Sequence, residues 1–172
     1  MFFSNFAIWE SGMQYAVKSS LLEPFLHTWS LAVEEQYYIF FPLFLASAWR
    51  FGKDKVFWLI IAMAVISFAL SEWTLRINES ANFYLLHTRA WELLVGSATA
   101  FTLRERGAKN NNFLSLLGLL AIIFSVFAYD QNTPFPGAYT LVPVLGVMFL
   151  ILYGGEGSFS ARLLSQKVFV GT

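Results

Sequence analysis

The sequence predicts an all-α, polytopic transmembrane helical bundle of about five spans, and three observations carry that prediction. Only 13% of its 172 residues are charged while 57% are hydrophobic, with a mean hydropathy of +0.57; an ordinary soluble domain carries roughly 25% charged residues. Five windows are apolar enough to cross a bilayer core of about 30 Å, which takes roughly 20 helical residues. Finally, Lys and Arg gather in alternate connections between those windows, as they do in cytoplasmic loops.

The five windows run, in order, over Ser30–Trp49, Val56–Leu75, Tyr84–Leu103, Phe113–Tyr129 and Ala138–Gly154. Gly, Pro, Asn or a charge cluster bounds each of them and can stop a span. The first and third carry ionisable residues, Glu34, Glu35, Arg89 and Glu92. Val56–Ser71 and Phe113–Tyr129 carry none and read as plain lipid-facing spans. Arg50, Lys53 and Lys55 follow the first window, Arg104, Arg106 and Lys109 the third, and Arg162 and Lys167 the fifth, which accounts for eight of the 11 basic residues. Residues 1–28 are therefore expected outside, Gly52 inside, Asn78 outside, Lys109 inside, Asn132 outside and the tail inside. The segment Asn132–Gly137 reads as a rigid external turn, with two prolines fixing φ. No repeat or hydrophilic linker divides the chain, so one membrane domain over 1–172 is expected.

Composition also excludes function classes. Eleven basic residues balance 11 acidic ones, so no basic surface is offered to nucleic acid. The chain has no cysteine, which removes disulfides, zinc-thiolate sites and thiol nucleophiles. SxxK, GxSxG, HExxH and GxGxxG are absent, so soluble hydrolase, metalloprotease and dinucleotide-binding readings lack support, and no metal is expected.

Charges within spans cost several kcal/mol unless paired or hydrated, about 2.5–3.5 kcal/mol on insertion scales, and they mark sites or pathways far more often than lipid contacts. At about 1.5 Å per residue, Glu34 and Glu35 fall roughly 9–11 Å below the outer end of the first helix, and Arg89 and Glu92 at roughly 8–12 Å in the third. Both sets thus share one layer in the outer third of the bilayer, as an outward-opening polar cavity requires. His27, Ser30 and Glu34 share one helical face, and a carboxylate beneath an imidazole suits the imidazole to act as a general base. Glu35 points about 100° away, towards a neighbouring helix. Arg89 is expected to pair across helices with a glutamate of the first span rather than with Glu92, and Pro42 to kink the first helix. Each feature has a plainer alternative: the four charges as a structural clamp, His27 and His87 as interfacial histidines, and the tryptophans, Trp91 included, as the interfacial aromatics of a membrane protein.

Three stretches carry a resemblance. LHTWSLAVEEQYYIFFPLFL at 26–45 closely resembles the HTWSL-x-VEEQFY signature of the membrane acyltransferase-3 family, which includes O-antigen acetylases. TRAWELLVGS at 88–97 resembles that family's R-x-WELL-x-G segment, and NTPFPGAYTLVPVLG at 132–146 its TPFPG loop and following helix. The three occur in the family's order. The resemblance implies an integral, multi-pass protein of a bacterial-type inner membrane. It implies part of a larger domain of about ten helices that transfers an acyl group, commonly acetyl, from acyl-CoA to a hydroxyl of an envelope carbohydrate or lipid-linked glycan. On this pattern further helices are expected on both sides of the chain, with an arginine and a histidine upstream, and some members add an external SGNH-type domain. The positions matched are His27, Trp29, Ser30, Glu34, Glu35 and Gln36 in the first motif and Arg89, Trp91 and Glu92 in the second. His27, Glu34 and Glu35 are the catalytic candidates. Ser30, Gln36, Arg89, Trp91 and Glu92 are the substrate-binding ones, with acetyl-CoA or another acyl-CoA as donor and no other cofactor. Two alternatives stand beside this reading: a transporter-like protein that binds a solute with the same charges, and a non-catalytic fragment.

Overall fold

The structure, a computed structural model, describes residues 28–78, 82, 84–130, 136–155 and 157–166. These residues are helical, with no strand among them; a single antiparallel bridge joins Asn110 to Gly154. The order is α1 (Thr28–Ala48), α2 (Lys53–Ile77), α3 (Leu86–Arg106), α4 (Asn112–Ala128), α5 (Leu141–Tyr153) and the short α6 (Phe159–Leu164). The all-α class therefore stands, and α1 to α5 occupy the five apolar windows. One of them, α2, is by itself long and apolar enough to cross a membrane. The 21 residues of α1 and of α3 suffice in length, but Glu34, Glu35 and Gln36 interrupt one and Arg89, Glu92, Arg104 and Arg106 the other. Helix α4 and the stretch Ala138–Tyr153 are apolar but shorter than the rest.

Local chemistry sets the boundaries. Helix α1 continues through Pro42 and ends in a 3-10 turn over Trp49–Phe51. Gly52 reverses the chain with φ 94°, a conformation that disfavours any side chain. The Asn111 side chain caps α4 by accepting from the amides of Phe113 (3.1 Å) and Leu114 (3.3 Å), satisfying donors that the helix cannot pair internally. A 3-10 turn at Ala138–Thr140 replaces the first residues expected of the fifth helix, and Pro143 then sits in the opening turn of α5, where a missing N–H costs nothing.

The chain forms two compact units. The first holds α1, α2, α3 as far as Leu93, and Pro136–Gly137; the second holds the rest of α3 with α4, α5 and α6. In the second unit α4 and α5 pack closely at Gly118 and Gly146. A Cβ on Gly118 would lie 2.6 Å from the Gly146 carbonyl oxygen, and one on Gly146 would lie 2.8 Å from that of Gly118. Only glycine permits such an approach, a common device where apolar helices must attract one another without water. The amides of Lys109 and Asn111 donate to the carbonyls of Leu152 (2.8 Å) and Tyr153 (3.3 Å), closing the C-terminal end of α5. The Ser160 hydroxyl bonds to those of both Ser115 and Ser158 in the interior, and Asn112 Oδ1 accepts from the Phe159 amide at 3.1 Å.

In the first unit α2 is more than a lipid-facing span. It buries Val56, Ile60, Ala64, Ser67 and Ser71 along one stripe, at the three- and four-residue spacing that aligns side chains on a helix. Trp58 and Trp73 lie outside that stripe and are exposed, as expected of membrane aromatics. Trp91 is not an interfacial aromatic. It is 1% exposed, the largest fully buried side chain among the described residues, with its ring edge-on to Phe68 at 5.1 Å.

Candidate functional site

The polar residues of the first unit are brought together by α2, α3 and one loop carbonyl. Ser71 Oγ (3.0 Å) and Asn82 Nδ2 (2.7 Å) both donate to the Pro136 carbonyl. Thr88 Oγ1 donates to the carbonyls of Asn82 and Leu85, each at 2.8 Å. Ser71, Asn82 and Thr88 are fully buried, where an unpaired hydroxyl or amide would cost about 1–3 kcal/mol. One turn earlier in α2, Ser67 Oγ donates to the His87 carbonyl at 2.7 Å and accepts from the Trp91 amide at 3.0 Å.

This network fixes the first turns of α3, which carry the ionisable pair. Arg89 Nη2 lies 3.1 Å from Glu92 Oε2, with the two side chains 24% and 19% exposed. The cross-helix partner expected for Arg89 is not what forms: among the described residues its ion pair is with Glu92. The reason is geometric, since i,i+3 residues are neighbours on the helix surface and meet without bringing a second helix into line. Among the described residues three buried side-chain polar atoms lack a hydrogen-bond partner, Asn82 Oδ1 and, on α3, Trp91 Nε1 and Glu92 Oε1; on α3 the indole nitrogen can donate and the carboxylate oxygen accept.

Helix α1 turns a different face inward from the one expected. Ala32, Val33, Gln36 and Tyr37 are buried, Gln36 to 3% exposure, and the Tyr37 hydroxyl donates to the Leu93 carbonyl of α3 at 3.4 Å. Tyr37 also stacks on Phe41 at 4.9 Å. Of the candidates on this helix, Gln36 therefore faces the interior, Ser30 and Glu35 are half-buried and Glu34 is exposed. His27, and with it the expected His27–Glu34 alignment, lies outside the described residues, as does the turn from Asn132 as far as residue 135. Among the described residues no group of three or more His, Asp or Glu could hold a metal ion.

Chemically, a half-buried arginine held by one carboxylate oxygen, with the other oxygen buried and still able to accept one hydrogen bond, has the groups needed to orient a hydroxyl and hold an anion beside it. Ser67, Ser71, Asn82 and Thr88 were not singled out in the sequence. The available signal was the i,i+4 pair of serines, with Ala64, on one stripe of an apolar helix, since small and hydroxylic residues mark the faces where membrane helices meet.

The family profile described as "Acyltransferase domain" matches residues 1–168. A Haemophilus influenzae protein of uncharacterised function is 33% identical over 141 residues, which is 74% of this chain and 58% of that protein. A Staphylococcus aureus protein provisionally named an O-acetyltransferase is 27% identical over 86% of this chain and 27% of its own length. A Bacillus subtilis protein provisionally named a peptidoglycan O-acetyltransferase is 27% identical over 84% of this chain and 25% of its own length. The chain thus spans between a quarter and three-fifths of the relatives it matches. No solved structure matches it. The signatures at 26–45, 88–97 and 132–146, with a profile match over nearly every residue, make the chain a member of the acyltransferase-3 family.

Proposed function

We propose that this chain is the membrane-embedded part of an O-acyltransferase that moves an acyl group, acetyl in the simplest case, from acyl-CoA to a hydroxyl of an envelope carbohydrate. The observation that carries the reading is the half-buried Arg89–Glu92 pair with a spare Glu92 oxygen, lying within the second signature of an acyltransferase family member. The provisional name of the S. aureus relative supports O-acetyl transfer, and that of the B. subtilis relative, a peptidoglycan O-acetyltransferase, supports a glycan acceptor. In this reading the protein is multi-pass in a bacterial-type inner membrane, with Arg50, Lys53, Lys55, Arg104, Arg106 and Lys109 on the cytoplasmic side.

The acceptor hydroxyl oxygen attacks the thioester carbonyl carbon as a base takes its proton. The tetrahedral oxyanion then collapses, the C–S bond breaks, and CoA leaves as a thiol after receiving a proton. Glu92 Oε1 accepts a hydrogen bond from the acceptor and Arg89 stabilises negative charge, either on a substrate phosphate or on the oxyanion. Trp91, Gln36 and Ser30 shape the acceptor cavity, and His27 with Glu34 and Glu35 forms the proton-accepting set. The test is transfer of labelled acetyl from acetyl-CoA into envelope glycan in membranes bearing the full-length protein. Incorporation that falls in Arg89→Ala and Glu92→Gln supports the reading. Solute uptake without acetyl-CoA consumption would instead favour the transporter-like alternative.

A further inference from the structure

Ser67 sits in the middle of an apolar helix, yet both of its hydrogen bonds leave that helix. They end on the carbonyl of His87 and the amide of Trp91, the two backbone groups that an α-helix would join to each other as an i, i+4 pair. The hydroxyl thus stands at one rung of α3, and a side chain entering that ladder sets the local direction of a helix. Arg89 lies inside the turn so held, and Glu92 follows it directly. Phe68, next to Ser67, packs edge-on against Trp91 at 5.1 Å, and Thr88 is tied separately to Asn82 and Leu85. The orientation of the Arg89–Glu92 pair is therefore imposed from α2.

We propose that Ser67 is a positioning residue for acyl transfer, holding the α3 turn so that Arg89 and Glu92 meet the acceptor. The proposal rests on the reading of that pair as acceptor-binding. Loss of the hydroxyl leaves the His87 carbonyl and the Trp91 amide free to close their own helical bond, so the helix survives while the turn shifts. A displacement of about 1 Å at a reacting site can cost about a hundredfold in rate.

The experiment compares Ser67→Ala, Ser67→Cys, Ser67→Thr and Arg89→Ala in membranes bearing the full-length protein. The probes are labelled acetyl-CoA and envelope glycan isolated from the source cells, each varied in turn. Alanine removes the hydroxyl, cysteine keeps the volume with a weak donor, and threonine keeps the hydroxyl. Ser67→Ala and Ser67→Cys are expected to lower kcat/KM for the glycan about 10- to 100-fold. The KM for acetyl-CoA and the thermal midpoint in detergent stay at the parental value, and Ser67→Thr restores most of the activity. Parental acceptor kinetics in Ser67→Ala, a threonine variant as impaired as the alanine one, or a matching collapse of folding in the alanine and cysteine variants would each overturn the proposal. Parental kinetics in Arg89→Ala would overturn the underlying site reading instead, so the two failures are distinct.

Discussion

Replacing Arg89 by methionine is expected to destabilise the protein more than replacing both Arg89 and Glu92. The pair is separated by 3.1 Å with side chains 24% and 19% exposed, so each charge is mostly withdrawn from solvent. Breaking a fully buried pair by removing one partner costs about 3–5 kcal/mol, because the other charge stays behind uncompensated. Partial exposure here reduces that to about 2 kcal/mol. Glu92 Oε1 already lacks a partner, so the lone carboxylate has no second donor to fall back on. Changing Glu92 to glutamine removes the stranded charge. Glu92→Gln should therefore destabilise the parental protein yet stabilise the Arg89→Met protein, a reversal of sign that a double-mutant cycle reads directly. At about 2–4 °C per kcal/mol for a chain of this size, Arg89→Met lowers the thermal midpoint in detergent by about 4–8 °C and the double variant recovers part of the loss. Additive effects, with Glu92→Gln harmful in both backgrounds, would refute the reasoning.

Other consequences follow from single positions. Gly118→Ala sets a Cβ 2.6 Å from the Gly146 carbonyl oxygen and should cost about 1–3 kcal/mol through forced separation of α4 and α5, read as a lower melting temperature. Gly52→Ala meets no neighbouring atom but holds φ at 94° with ψ at 152°, a region that is essentially glycine's alone, so a loss of about 1–3 kcal/mol is expected from backbone strain. Because the chain has no cysteine, Lys55→Cys and Lys109→Cys should react with an impermeant maleimide only in inverted vesicles, and Asn78→Cys only in intact cells or spheroplasts. Labelling of all three from one side would contradict the proposed orientation.

Much of the helical framework was legible because apolar windows and their stops follow from hydropathy alone. The second window, Val56–Leu75, grew at both ends to Lys53–Ile77, since Lys53 and Arg76 can stay helical while their charged tips reach water. The fifth lost its opening residues to a 3-10 turn, which no hydropathy value encodes. The site was less legible. Arg89 and Glu92 stood out because intramembrane charges are costly, but which partner Arg89 would choose depended on the rotation of α1, and Tyr37 rather than Glu34 meets α3. Ser67 carried no charge to draw notice, and its partners lie 20 and 24 residues away. Trp91 reads as an interfacial aromatic by composition and as a substrate-binding candidate by resemblance, and neither reading encodes its burial against Phe68.

Acetyl transfer measures the central claim most directly: membranes bearing the full-length protein, incubated with labelled acetyl-CoA and envelope glycan, compared with Arg89→Ala and Glu92→Gln versions inserted to the same level. Ester-linked label in the parental glycan, lost on mild alkaline treatment and reduced at least about tenfold in both variants, is the expected result. Transfer that proceeds unchanged without Arg89 and Glu92, or an absence of ester-linked label from correctly inserted parental protein, would contradict it.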